Sequence, residues 1–196
     1  IVYSDENVKL LITYAGGDGN DITLSVVSDL TFTLNSDGTE YSVTDCLESA
    51  SGSIDIPSTY NGLPVTSIGW DAFENCTSLT SVTIPDSVTD MGAYTFFNCT
   101  SLTSVTISEN VTFINEYTFF NCNSLTSITL PDSVTSIGIG AFELCSSLNS
   151  ITIPDGVTLI GDGAFKDCSN LTSITIPEGV TNIDWETFRD CTYLTS

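Results

Sequence analysis

Residues 79–89 read Leu-Thr-Ser-Val-Thr-Ile-Pro-Asp-Ser-Val-Thr, and variants of this stretch return along the chain at intervals of 23 residues. Each copy is followed by a Phe-x-x-Cys segment with the same spacing. Such strict self-similarity predicts a stacked solenoid, because each unit can bury its apolar face only against its neighbours. The recurring pairs are Phe73 and Cys76, Phe96 and Cys99, Phe119 and Cys122, Phe142 and Cys145, Phe165 and Cys168, and Phe188 and Cys191.

The pattern inside one unit predicts its shape. Val82 and Ile84 alternate with polar residues, which is the period of a short strand, and Pro85 ends that strand because it cannot donate a ladder hydrogen bond. Val88 and Met91 begin a second extended piece. Phe-x-x-Cys places two apolar side chains three residues apart, on one side of a helical turn. We therefore expect a β-rich α/β solenoid whose 23-residue units contain a strand, a turn, a second short extended segment and a helical turn.

In every unit, the residue that follows the second extended piece is a glycine, an asparagine or an aspartate. These residues tolerate a left-handed backbone better than others. The pattern therefore predicts a tight corner with positive φ at this position. The residues concerned are Gly69, Gly92, Asn115, Gly138, Gly161 and Asp184.

The motif Leu-Thr-Ser-Val-Thr-Ile-Pro, followed by Val-Thr, Ile-Gly and Ala-Phe-x-x-Cys, resembles the BspA-type leucine-rich repeat over about residues 30–196. The longer first unit, around Ile56 to Val65, resembles the opening unit of that family. The departures are Ser108 in place of proline, and Asn115 and Asp184 in place of glycine. The resemblance implies a curved solenoid on secreted or cell-surface proteins of bacteria and some protists. It also implies adhesion and protein binding without a catalytic motif.

The residues before the repeats predict two further β elements. Between 30 and 46, alternating runs flank Asn35-Ser36-Asp37-Gly38, which indicates a β-hairpin that caps the first repeat. The runs 8–14 and 22–27 flank a glycine-rich stretch and resemble the closing strands of passenger-type β repeats in large bacterial surface proteins. We expect 1–28 to end a preceding β module, 29–50 to form the N-terminal β-hairpin cap, and 51–196 to form the solenoid.

Both ends of the chain suggest a piece of a longer protein. The chain begins with Ile1, and Leu194-Thr195-Ser196 repeats the opening of earlier units. We therefore expect the solenoid to be truncated at the start of a further repeat.

Composition argues against several function classes. The chain has 196 residues, with Lys+Arg 3, Asp+Glu 25, a net charge of −22 and no His. Three scattered cations cannot bind nucleic-acid phosphates or an anionic membrane surface. No apolar run approaches the roughly 18 residues of a membrane span. Without His the chain lacks the usual general base and the commonest metal ligand. We expect no catalytic residues, no cofactor, no nucleic-acid partner and no membrane insertion in this segment.

Two patterns leave a metal or redox alternative open. The stretch Gly16-Gly17-Asp18-Gly19-Asn20-Asp21 fits most of the calcium-binding nonapeptide, with Asp18 and Asp21 as oxygen donors. It occurs once, and a glycine-rich hairpin turn is the preferred interpretation. The repeat cysteines are spread one per unit, so we expect buried thiols rather than a metal site or disulfides between units. Cys46 is either a buried cap residue or a partner for something outside the repeats.

Outward strand positions form rows of hydroxyl side chains. Such rows on a β-solenoid suggest an ice-binding face as a minor alternative, although threonine on a solvated strand explains them without ice. The rows are Ser81/Thr83, Ser104/Thr106, Ser127/Thr129, Ser150/Thr152 and Ser173/Thr175, and also Thr66, Thr89, Thr112, Thr135, Thr158 and Thr181.

An acidic row follows the first strand of each unit. The preferred interpretation is a solvated edge that opposes aggregation. The row also concentrates negative potential and favours a partner with a basic surface. It consists of Asp86, Glu109, Asp132, Asp155 and Glu178.

Positions that change between units are the candidates for recognition, because the recurring positions build the scaffold. Tyr94 and Tyr117 are one period apart, as are Phe97 and Phe120, so stacked units would gather them into a patch. Half-buried packing of both phenylalanines is the competing interpretation. We predict a non-catalytic module that binds a protein ligand, with a structural spacer or stalk as the alternative. The candidate binding residues are Trp70, Tyr94, Phe97, Phe113, Tyr117, Phe120, Ile139 and Trp185.

Overall fold

The computed structural model describes residues 8–14 and 22–195, and within these ranges the chain forms strands and turns without a helix. β1 (Val8–Tyr14) pairs antiparallel with β2 (Ile22–Ser28), at the two predicted strand runs. The glycine-rich stretch with Asp18 and Asp21, the candidate calcium ligands, lies outside the described residues.

A second antiparallel hairpin follows at once. β3 (Leu30–Leu34) pairs with β4 (Tyr41–Cys46) around the predicted Asx-Gly turn. The side-chain oxygen of Asn35 accepts the backbone N–H of Thr39 at 2.9 Å, and Gly38 supplies the positive φ of 70°. Asparagine and glycine thus set this turn through their local chemistry.

Each later coil contributes one strand to each of two parallel ladders. The pairing follows the sequence period, since Ser104 lies opposite Ser81 and Ser127 opposite Ser150. The first strands are β5 (Ser51–Asp55), β8 (Ser78–Thr83), β10 (Ser104–Thr106), β12 (Ser127–Thr129) and β14 (Ser150–Thr152). The second strands are β7 (Leu63–Ile68), β9 (Asp90–Met91), β11 (Phe113–Ile114), β13 (Ser136–Ile137) and β15 (Leu159–Ile160).

The first coil makes contacts that the later coils lack. Its extra residues form β6 (Thr59–Tyr60), which pairs antiparallel with β7. On its other edge β7 pairs in parallel with β4, so the β3–β4 hairpin continues the second-strand ladder. The ring of Tyr60 stacks on Phe32 with centroids 4.1 Å apart, which joins the first coil to the hairpin.

The third side of each coil, around Phe-x-x-Cys, consists of turns and not of the predicted helical turn. The N–H groups of Asp71, Phe73 and Asn75 donate to carbonyls of the next coil at 2.8–3.2 Å, whereas Cys76 donates three residues back to Phe73. A helix would direct these N–H groups four residues back along their own coil. Helical bonding and coil-to-coil bonding therefore exclude each other. The α/β class and the helical turn were wrong predictions, and the solenoid is built from strands and turns.

The interior is a column of stacked phenyl rings surrounded by aliphatic side chains. From Phe73 to Phe188, successive ring centroids lie 5.0 to 5.6 Å apart. The column rings of Phe73, Phe96, Phe119, Phe142 and Phe165 have no exposed surface, and the alternating Val and Ile of the first strands are buried beside them. The recurring apolar positions therefore form one continuous core, as the period predicts.

The predicted left-handed corner is wrong at all six positions, since none of them has a positive φ. Positive φ occurs two residues later in each coil, for example 56° at Asp71. At Gly92, the absence of a side chain has a different reason. A Cβ built on Gly92 would lie 2.5 Å from the backbone nitrogen of Trp70 in the preceding coil. The absence of a side chain lets adjacent backbones approach each other.

Asn115 shows how a larger residue is accommodated at the same position. The backbone N–H of Gly92 donates to the carbonyl of Ile68 in the preceding coil at 2.8 Å. At Asn115 the side-chain amide donates to the carbonyl of Met91, also in the preceding coil, at 2.5 Å. The asparagine side chain thus takes the acceptor that the glycine backbone takes elsewhere.

Both ladders are divided next to the coil formed by residues 102–124. β5, β8 and β10 form one sheet and β12 and β14 another, while β11, β13 and β15 are separate from β7 and β9. This coil also carries Ser108, which is buried and whose hydroxyl donates to the carbonyl of Val88 at 2.7 Å. The turn segments bond across both divisions, through Tyr94 to Glu116 and Tyr117 to Ile139, each at 2.9 Å. The turn side therefore holds this irregular coil in place.

We expect Phe119→Ala to lower the free energy of unfolding by about 3–5 kcal/mol, because it leaves a cavity within the ring column. Urea unfolding followed by circular dichroism measures the change. Thr106→Ala, at an exposed position of the same coil, is the control and should change stability by less than about 0.5 kcal/mol. Equal effects of the two substitutions would contradict a core built on stacked rings.

Gly92→Ala should destabilise the chain by about 2 kcal/mol, because the new methyl group would overlap the backbone at Trp70. Gly156→Ala is a matched control, since its nearest neighbour is the carbonyl oxygen of Val134 at 3.4 Å. Thermal melts of both variants test the comparison. If the two alanines are tolerated equally well, close approach of the backbones is not the reason for glycine at position 92.

Candidate functional site: an aromatic surface on the turn side

Four aromatic rings form a continuous surface over two adjacent coils. Tyr94 stacks on Tyr117 with centroids 5.1 Å apart, and Phe97 stacks on Phe120 at 4.6 Å. Within each coil, tyrosine and phenylalanine centroids lie 5.7 and 5.8 Å apart. All four side chains are half-buried. We call Tyr94, Phe97, Tyr117 and Phe120 the aromatic quartet.

The period of the chain explains this arrangement. Each coil places the same two positions of its turn segment on this side, so residues one period apart face each other. Tyr94 and Tyr117 adopt positive φ values of 59° and 52°, at the position where later coils carry Gly140 and Gly163. A Cβ on Gly140 would lie 2.3 Å from Cε1 of Tyr117. Gly140 therefore leaves room for the Tyr117 ring, a signal that the sequence interpretation missed.

The other predicted binding residues are exposed but are distributed around the quartet. Trp70 is 72% exposed and lies against Gly92, and Phe113 is 50% exposed on β11. Among the described residues no ring contact joins either of them to the quartet. Ile139 and Trp185, the latter 77% exposed, line a small crevice of about 130 Å³ together with Tyr117. The structure thus gathers four of the predicted residues and extends the surface to two more.

Charged side chains border the quartet beyond Phe120. Lys166 forms ion pairs at 3.2 Å with both Glu143 and Glu186, and Arg189 pairs with Glu186 at 2.5 Å. The hydrogen bond that Lys166 donates to Glu143 raises the pKa of Lys166, and the hydrogen bond that Arg189 donates to Glu186 lowers the pKa of Glu186. The pKa of the Tyr117 hydroxyl is raised mainly by burial and, to a smaller extent, by the nearby carboxylate of Glu143. Both cations on this side are therefore already paired with carboxylates.

These charged neighbours were missed by the sequence interpretation, although the period identifies them. The row through Phe97 and Phe120 begins at Glu74 and continues through Glu143 and Lys166. Lys166 is one of only three cations in the sequence, which is a signal in itself. Leu159, 54% exposed, is another exposed apolar residue that the sequence interpretation did not single out.

All seven cysteines are free, and all except the half-buried Cys191 are buried. This agrees with the preferred interpretation of buried thiols. The five from Cys99 to Cys191 repeat one contact, in which the thiol donates to a phenylalanine carbonyl of the preceding coil at 3.0 to 3.2 Å. The repeat cysteines are thus hydrogen-bond donors within the core as well as small apolar groups.

The acidic row is exposed along its whole length, from Asp86 to Glu178. Within the ranges that the structure describes, no three His, Cys, Asp or Glu side chains are grouped closely enough to hold a metal ion. A groove of about 360 Å³ lies beside Glu109, between β10 and β12, where the first-strand ladder is divided. The row thus forms a charged edge next to an irregular part of the sheet.

The predicted hydroxyl rows face outward, but the rows are interrupted, and some of their hydroxyl groups already donate hydrogen bonds within the chain. Thr89 and Thr135 donate their hydroxyls to the threonine carbonyl one period back, at 3.5 and 3.2 Å. The division between β10 and β12 interrupts the Ser/Thr rows of the first strands. Nothing in this geometry favours ice binding over a solvated strand surface.

Comparison with known proteins agrees with this architecture. A sequence model described as "BspA type Leucine rich repeat region" matches residues 52–195 in 6 copies. The crystal structure of the T. pallidum leucine-rich repeat protein TpLRR has 34% identity and a TM-score of 0.80, over 85% of this chain and 77% of that chain. A leucine-rich repeat protein from Bacteroides ovatus has 30% identity and a TM-score of 0.71, over 87% of this chain and 51% of that one.

A third solved structure, a leucine-rich repeat protein from Bacteroides capillosus, has 37% identity and a TM-score of 0.53, over 64% of this chain and 94% of that one. Among curated proteins, none matches this chain. In the part of the chain that the structure describes, no helical segment has the length and hydropathy needed to cross a bilayer.

Burial raises the pKa of the Cys122 and Cys145 thiols well above the ordinary value. We expect iodoacetamide to alkylate these thiols at least about 100-fold more slowly in the native chain than in urea. The rate in the native chain should stay nearly the same between about pH 7 and pH 9. Site-resolved mass spectrometry measures both rates. Because unfolded thiols ionise near pH 8.5 and these buried ones do not, stability should fall as the pH rises past that value. Equal rates in native and unfolded chains would contradict this prediction.

Proposed function

Because this chain belongs to the BspA-type leucine-rich repeat family, we propose that it is a non-catalytic protein-binding module whose contact surface is centred on the aromatic quartet. The stacked rings of Tyr94, Phe97, Tyr117 and Phe120 carry this proposal. Aromatic side chains supply large contact area with little loss of conformational freedom, and stacking already holds these four in place.

The half-buried state of the quartet supports binding more than simple packing. The core column of phenylalanines is complete without it, from Phe73 to Phe188. In other coils, Glu74 and Glu143 occupy the row of Phe97, which shows that the scaffold does not need an aromatic residue there. The quartet therefore adds apolar surface that the fold itself does not require.

The charges around the quartet indicate the kind of partner. Glu74 borders one side of the quartet and Glu143 the other, and Lys166 and Arg189 are engaged in ion pairs. With a net charge of −22, the surface favours a protein ligand with a basic surface and disfavours nucleic acid. We also propose a location on the cell surface or outside the cell and a role in adhesion, which the resemblance to the family implies.

A structural spacer in a larger surface protein is the second candidate. The observation that favours it is the turn ladder, in which three N–H groups per coil bond to the next coil from Asp71 through Asp167. This regular bonding makes a stiff rod that could hold other domains apart. A spacer does not need the aromatic quartet, and this difference separates the two candidates.

The experiment compares two variants for binding to immobilised host-cell and matrix proteins. One carries Tyr94→Asn, Phe97→Ser, Tyr117→Asn and Phe120→Ser; asparagine is chosen because it tolerates the positive φ of both tyrosines. The control, Phe113→Ser with Leu159→Ser, removes exposed apolar groups from the second strands. Melting curves confirm that both variants are folded.

We expect the quartet variant to bind at least about tenfold more weakly, since loss of central aromatic contacts costs 1 kcal/mol or more each, and we expect the control to bind as the unchanged chain does. Binding should also weaken as salt is raised, if the partner is basic. Unaltered binding by the quartet variant would refute the proposed surface. Absence of any binder in the panel would favour the spacer.

A further inference from the structure

Two of the seven cysteines differ from the others in what their thiols contact. Later repeat cysteines donate to a phenylalanine carbonyl of the preceding coil, for example Cys99 to Phe73 at 3.0 Å. Cys76 has the β3–β4 hairpin before it instead of a repeat, and it donates to the carbonyls of Leu47 and Cys46 at 3.5 and 3.7 Å. Its hydrogen bonds are therefore longer and weaker than those of the later coils.

The thiol of Cys46 points to the same place. It donates to the carbonyl of Leu47 at 3.7 Å, so the two sulfur atoms converge on one oxygen. Both residues are buried, Cys46 at 3% and Cys76 at 0% exposure, whereas the next residues along the chain, Leu47 and Glu48, are exposed. Two thiols from distant parts of the sequence thus share one small site at the junction of the hairpin and the first coil.

Charge and protonation distinguish this pair further. Interaction between the two thiols raises the pKa of Cys46 and lowers that of Cys76. Burial raises the pKa of Cys99, Cys122 and Cys145. Cys76 is therefore the thiol best able to act as a thiolate, the form that attacks disulfides.

We propose that Cys46 and Cys76 are a disulfide-forming pair that fastens the β3–β4 hairpin to the first coil when the chain meets an oxidant of the low-molecular-weight disulfide class. This proposal is independent of the proposed binding function. The later cysteines would each lose a short hydrogen bond on oxidation, whereas this pair would lose only its longer contacts.

The chemistry balances in two exchange steps. The thiolate of Cys76 attacks one sulfur of the external disulfide, forms a mixed disulfide and expels one thiolate. Cys46 then gives its proton to the expelled thiolate and attacks the Cys76 sulfur, which forms the internal S–S bond and expels the second thiolate. The two thiolates that leave take up the two protons released by the cysteines. Two electrons pass from the protein to the external disulfide, which becomes two thiols.

A disulfide between Cys46 and Cys76 would close a long loop at the first coil of the solenoid, which the β3–β4 hairpin covers. Cys46 and Cys76 lie 30 residues apart, and the hairpin contacts the first coil through the pairing of β4 with β7 and the stacking of Phe32 on Tyr60. Terminal units of solenoids open more easily than central ones, because they have a neighbour on one side. A cross-link here restricts the unfolded chain and holds the terminal unit closed.

The test refolds the full chain from urea with oxidised glutathione present, so that burial does not limit access of the reagent. Peptide mapping without reduction identifies linked cysteines, and alkylation after unfolding counts free thiols. Two variants accompany the unchanged chain. Cys46→Ser removes one partner, and Cys191→Ser is the matched control at the half-buried cysteine of the opposite end.

We expect the free-thiol count to fall by two, with Cys46 linked to Cys76, and the melting temperature to rise by about 5 °C or more over the reduced chain. Cys191→Ser should behave in the same way. Cys46→Ser should show no internal link and no rise in melting temperature, and should lose at most the Cys76 thiol, to a mixed disulfide with glutathione. A full complement of free thiols, a mixed disulfide that never closes, or a link between other cysteines would overturn the proposal. A Cys46–Cys76 link without a rise in melting temperature would overturn its fastening role.

Discussion

Hydrogen bonds between the backbones of successive turn segments are the constraint on which this structure depends. Three N–H groups of each coil donate to the next coil, and the pattern holds from Asp71 through Asp167. These bonds leave the backbone no freedom to form a helix, and they hold coils at a spacing that suits strand ladders. The phenyl rings stack at 5.0 to 5.6 Å because the coils are held at this spacing and each coil carries one ring at the same position.

Other recurring features follow from this one spacing. Asn98 donates its side-chain amide to Asn75 one coil back at 2.7 Å, and Asn121 donates to Asn98 at 2.6 Å. The repeat thiols reach the phenylalanine carbonyl of the preceding coil, and glycine at position 92 allows the backbones to meet. Each of these residue choices is a response to a neighbouring coil and has no local cause within its own unit.

The irregular coil 102–124 shows which side of the solenoid tolerates change. Both strand ladders are divided beside it, whereas its turn segment bonds normally to both neighbours. Half of the aromatic quartet, Tyr117 and Phe120, lies on that turn segment. The turn side, where the backbone bonding is unbroken, is therefore also the side that presents the stacked rings. Such rigid support suits a preformed contact surface.

The 23-residue period, the alternation of Val82 and Ile84, and the recurring phenylalanines and cysteines are enough to identify the solenoid and its core. The same period predicts that Tyr94, Phe97, Tyr117 and Phe120 meet, because residues one period apart lie side by side in stacked coils. The conformation of the turn segment and the reason for glycine at position 92 follow from the packing of one coil against the next. Both depend on backbone groups of the adjacent coil, and no pattern within a single unit records them. The convergence of Cys46 and Cys76 has the same origin, since they meet only when the hairpin packs on the first coil.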